Sequence, residues 1–78
     1  MPNIGKVTER QLIGAGIETP EQLKEIGAKE ALLRIRLKSD PEACVRVLYG
    51  LQGAIDEVKD SALDGRTKSD LLEFFRTL

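Results

Sequence analysis

Covalent and acid–base catalysis at neutral pH needs a nucleophile beside a base, and this sequence offers one thiol, Cys44, and no histidine. Ser/His and Cys/His pairings are therefore excluded, as are the zinc sets built from several Cys and His. Cys44 shares a helical stripe with Leu48, Leu51, Ile55 and Val58, which predicts a small core residue and not a reactive thiol. Asp56, Glu57 and Asp60 are crowded together instead of forming a spaced pair, as expected for a solvated helix end. Neither a G-x-G-x-x-G run nor a phosphate loop ending in Gly-Lys-Ser/Thr occurs. These absences point to a protein that is not an enzyme and uses no cofactor, metal or small-molecule substrate.

Binding is the chemistry that remains. Asn3-Ile4-Gly5 stands before a capped helix with Lys6 and Arg10 nearby, the arrangement of a helix-hairpin-helix turn. In such a turn the backbone N–H groups at a helix start face a phosphate and nearby cations add charge. Asn3 stands in a glycine place; it tolerates a left-handed backbone but adds bulk where a phosphate must come close. Arg34, Arg36 and Lys38 would extend a phosphate-contacting surface. The totals oppose strong DNA binding: 12 Lys and Arg face 13 Asp and Glu, and the net charge is −1. No aromatic residue is interleaved with the basic ones to stack on bases. The charge is nonetheless uneven, with seven basic and five acidic residues up to Lys38 and five basic against eight acidic residues after it.

At the other end of the chain, Leu71, Phe74, Phe75 and Leu78 form an apolar helix face that the core or a second chain must cover. Two functions follow. The first is a regulatory module acting by contact with a protein partner or a second copy, with those four residues at the interface. The second is weak, sequence-independent DNA binding through Asn3, Gly5, Lys6, Arg10, Arg34, Arg36 and Lys38.

The elements that must position these residues are legible as caps and breaks. A chain of 78 residues holds one core, so residues 1–78 form a single domain. Thr8 with Gln11, and Thr19 with Pro20 and Gln22, resemble capping boxes, while Gly16 and Gly27 follow the two short segments where a left-handed residue is wanted. Helices are predicted over about 9–15 and 20–26. A third is predicted over about 29–38, and a fourth over about 41–58 opened by Asp40 and Pro41. Gly50 and Gly53 inside the fourth call for a close neighbour or a kink, and a fifth helix spans about 68–77. Ile4 and Val7 are expected to anchor against Leu12, Ile13, Ile17 and Leu23 if the hairpin serves packing. The fold class is therefore all-α, a compact orthogonal bundle of about five helices with a helix-hairpin-helix-like N-terminal half. No signal peptide or membrane-length apolar run is evident, so the expected location is the cytoplasm.

Taken in order, Pro2-Asn3-Ile4-Gly5-Lys6, Gly16-Ile17, Thr19-Pro20-Glu21-Gln22-Leu23, Gly27-Ala28-Lys29-Glu30-Ala31, Leu48-Tyr49-Gly50-Leu51 and Gly53-Ala54-Ile55 resemble the C-terminal domain of the TfoX/Sxy family of bacterial competence regulators. The resemblance spans nearly the whole chain. It implies an all-helical domain tied to control of DNA uptake and transcription, with no catalytic site to transfer. Relatives often carry a further N-terminal domain that this sequence lacks.

Overall fold

Glycines and cap residues set the path of the backbone. The computed structural model describes residues 4–78 and contains four α-helices: α1 (Lys6–Gly14), α2 (Pro20–Lys38), α3 (Val45–Asp56) and α4 (Gly65–Arg76). A 3₁₀ turn over Asp60–Ala62 precedes α4, and no strand occurs among the described residues.

The helix count is four and not the expected five, because the two segments expected before and after Gly27 run as one element, α2. The break is still present. Gly27 sits at φ 83 and ψ 162, a conformation that only glycine adopts readily, so the chain turns there without a loop. At the start of α2 the capping box forms as expected: the Gln22 N–H donates to Thr19 Oγ1 at 3.1 Å, and the Thr19 N–H donates to Gln22 Oε1 at 3.2 Å. Helix α1, by contrast, begins at Lys6 with Gly5 as its cap, so Thr8 lies inside the helix and caps nothing.

Two helices leave by the same hydrogen-bond pattern. After α1 the Ile17 N–H donates to the Leu12 carbonyl at 2.9 Å and the Gly16 N–H to that of Ile13 at 3.0 Å, with Gly16 at φ 86. After α3 the Val58 N–H donates to the Gly53 carbonyl at 2.9 Å and the Glu57 N–H to that of Ala54 at 3.3 Å. Here the left-handed position, φ 59, belongs to Glu57, the one non-glycine residue with positive φ among those described. The returning strand of loop passes so close that a Cβ on Gly53 would lie 2.8 Å from the Val58 carbonyl oxygen. Gly53 thus answers to a close approach, though of its own loop. Gly50 has no neighbour where a Cβ would stand, so the expected reason for a glycine is absent there.

Helix α3 starts at Val45, four residues later than Asp40-Pro41 suggest. The Asp40 carboxylate is taken elsewhere: Oδ2 accepts from Gln11 Nε2 at 2.7 Å, and Oδ1 accepts from the Glu42 N–H at 3.0 Å. Cys44 becomes the cap residue of α3 and is exposed, which corrects its expected place in the core. At the far end α4 starts at Gly65 and not near Lys68, because Asp64 accepts from the Thr67 N–H at 2.7 Å and caps the helix earlier.

The core joins Leu12, Ile17, Leu23, Ala31, Leu32, Ile35, Leu48, Leu51 and Leu71, with α2 packed chiefly on α3. The radius of gyration is 11.1 Å, close to the ~11.5 Å expected for a compact domain of this length. Ile4 packs partly against this core. Val7 and Ile13 do not: they are 71% and 51% exposed, so Val7 is not the anchor expected and Ile13 is not a residue it packs against.

Candidate interaction surface

The outer side of α2 is built by elimination. Ala31, Leu32 and Ile35 turn inward and are fully buried, which leaves Leu33 and Leu37, one turn apart, on the opposite side. Leu37 is 80% exposed and Leu33 39%. Glu30 precedes Leu33 by three residues, so Glu30, Leu33 and Leu37 form one seam along the helix at the spacing that accepts another helix.

Three cations frame that seam, and each is differently engaged. Arg34 Nε stands 3.4 Å from Glu30 Oε1, an exposed pair within the helix. The Arg36 guanidinium lies over the Phe75 ring, 5.3 Å from its centre. Lys38 has no ion pair among the described residues. A turn or more before these, Lys29 closes the inner edge: its ammonium is 2.9 Å from Asp70 Oδ2 and 5.4 Å from the centre of the Phe74 ring. Helix α4, which packs on α3, thus reaches α2 through two cation–aromatic contacts and one salt bridge.

The four residues expected at an interface are placed differently from one another. Leu71 is buried in the core at 2% exposure and has nothing to offer a partner. Phe74 and Phe75 are half-buried under Lys29 and Arg36, and Leu78 is exposed at the chain end. Arg36 links Phe75 to the Leu33–Leu37 seam and so joins α2 to the last turn of α4. The signal that a sequence carries for this seam is an apolar residue on the polar side of an amphipathic helix. It is hidden here because α2 has leucines on both sides.

The residues expected to contact phosphate do not form one cluster. Asn3 lies outside the described residues. Gly5 is exposed at φ −72 and ψ 164, an ordinary extended conformation, and caps α1 without a side-chain hydrogen bond. Lys6 and Arg10 follow one turn apart on the exposed side of α1, without an ion pair among the described residues. Arg34 and Arg36 are occupied within α2 and by α4 as described.

A separate open cleft of about 620 Å³ lies where the Gly27 break meets α3 and α4, lined among others by Ile26, Lys29, Gln52, Arg66 and Asp70. Its charged groups are largely used within the fold: Lys29 pairs with Asp70, and Gln52 Nε2 donates to Asp56 Oδ1 at 3.1 Å. No group of three or more metal-ligating side chains occurs among the described residues, and none of the described helices is long and apolar enough to cross a membrane.

Comparison with known proteins places this geometry in a family. No curated protein matches the chain. Two crystal structures from Listeria monocytogenes do, with the same TM-score of 0.92. One is an uncharacterized protein in a triclinic form, 45% identical, with 99% of this chain and 86% of that chain covered. The other is a protein of unknown function in a tetragonal form, 46% identical, with 97% and 92% covered. The family model for the TfoX C-terminal domain matches residues 1–75, so the chain belongs to the TfoX C-terminal domain family.

Proposed function

We propose that this chain is a non-enzymatic regulatory module that acts by protein–protein contact, with the outer side of α2 as its docking face. The observation that carries this reading is Leu37, a helical leucine left 80% in water one turn after the partly exposed Leu33. Burying one such side chain in a partner returns about 1.5–3 kcal/mol, enough to make it an anchor of an interface. Membership of the TfoX C-terminal domain family, for which the resemblance implies control of DNA uptake and transcription, supports a regulatory role.

The test is site-specific photo-crosslinking in cells. A photoreactive residue at position 37 should yield a defined adduct with one protein that binds again in purified form. The same residue at Glu21, on the first part of α2, should not. Equal labelling from both positions, or no adduct at position 37, would count against the reading.

A second reading rests on α1. Among the described residues its first-turn N–H groups receive no side-chain cap, and Lys6 and Arg10, without an ion pair there, flank them. Weak contact with DNA phosphate fits this arrangement. Its affinity should fall as salt rises and should vanish when Lys6 and Arg10 are both changed to glutamate. Absence of binding to duplex and single-stranded DNA at low salt removes it.

A further inference from the structure

The docking face of α2 carries information about its occupant, and the inference that follows rests on the protein-contact reading above. We infer that the segment that docks on Leu33 and Leu37 is an acidic amphipathic helix of another protein. Shape comes from the seam: Leu33 and Leu37 stand four apart, a spacing at which apolar residues of a helix meet a neighbouring helix, and Glu30 continues the same line as its polar end. Sign comes from the frame. The cations are Arg34, Arg36 and Lys38, whereas the single acid, Glu30, is already matched to Arg34. Arg36 is held in place by Phe75, so a carboxylate arriving there meets a pre-ordered guanidinium. A helix with leucine-like residues at its centre and Asp or Glu along its edges satisfies both requirements.

Two other occupants fit less well. A second copy docking through the same seam in antiparallel register would set Arg34 against Arg34 and Arg36 against Arg36, a like-charge arrangement that disfavours the pairing. Nucleic acid would meet Leu37 projecting into the phosphate path, with the Glu30 carboxylate beside it to repel phosphate.

The test uses the intact chain against a random peptide display library, with counter-selection on the Leu37→Glu variant. Peptides enriched on the unmodified protein should be net acidic, with apolar residues three and four apart. In titrations followed by amide NMR they should shift Leu33, Leu37 and Lys38. Affinity should drop at least about tenfold with Leu37→Glu and fall also with Lys38→Glu. The uncharged Leu37→Ser variant serves as a second probe, and circular dichroism should show both variants folded, because Leu37 touches little of the core.

Neutral or basic peptides enriched on the same leucines would overturn the acidic helix while leaving the docking face in place. Peptides that bind Leu37→Glu equally well would overturn both. A short DNA duplex that shifts these amides more tightly than any enriched peptide would overturn the inference in favour of nucleic acid.

Discussion

Gln11 on α1 and Asp40, 29 positions later, are joined by a hydrogen bond of 2.7 Å from the amide Nε2 to the carboxylate Oδ2. The other end of the same amide, Oε1, is buried without a hydrogen-bond partner among the described residues. Asp40→Ala should therefore cost about 1–3 kcal/mol, because it strips the last partner from a part-buried amide and also frees the Glu42 N–H. Gln11→Met removes the donor and the orphaned acceptor together and should cost less. Urea denaturation of both variants checks the order; equal losses would show that the bond does not hold α1.

The glycines should separate by backbone and not by burial. Gly27→Ala forces an L-residue to φ 83 and ψ 162 and should destabilise the chain by about 1–3 kcal/mol. Gly50→Ala enters a helix interior with open space at the Cβ and should stabilise by up to about 1 kcal/mol. Thermal melts of the two variants should move in opposite directions.

Glu57 occupies the left-handed position where α1 has Gly16 in the equivalent exit. Glu57→Gly should relieve that conformation and raise stability by up to about 1 kcal/mol. The lost pair with Lys24, at 3.8 Å between exposed side chains, should subtract little. A lower melting temperature for this variant would assign Glu57 a role that its contacts do not reveal.

Asp64 is held below the ordinary carboxylate value of 3.8, first by the Thr67 side chain and then by the Thr67 backbone N–H. A carboxylate with a lowered folded pKa favours the folded state above its unfolded value, and that contribution fades as pH falls through the lower folded value. Loosening of the first turn of α4 should therefore begin below about pH 4. Asp64→Asn keeps a capping oxygen without the titration, so its acid-induced loss of helicity should be shallower by circular dichroism.

Leu37 and Leu71 should behave in opposite ways. Leu71→Ala opens the core and should cost about 2–5 kcal/mol, whereas Leu37→Ser should stay within about 0.5 kcal/mol and alter binding alone. Comparable stability losses would place Leu37 in the fold and remove it from the docking face.

Short-range features were legible before the fold was known. The Thr19 cap with Pro20 and Gln22, the left-handed Gly16 and the break at Gly27 each depend on residues within one turn of chain, so local sequence dictates them. The buried positions Leu12, Leu23, Leu32, Ile35, Leu48 and Leu51 follow from helical spacing, and the ordered blocks from Pro2 to Ile55 carry the family.

What depended on distant residues was not legible. Asp40 looks like a helix cap until Gln11, brought beside it by the packing of α1, takes its carboxylate; α3 then starts later and Cys44 is left in solvent. Leu33 and Leu37 broaden the apolar face that Ala31, Leu32 and Ile35 form, so the period of α2 allows contact from two directions and cannot say whether a neighbour covers the second. The sequence by itself determined an all-helical member of the TfoX C-terminal domain family with its local caps and breaks. Only the packing of α3 on α2, and of α4 on α3, decided which leucines became core and which stayed in water, since burial is settled by what arrives from elsewhere in the chain.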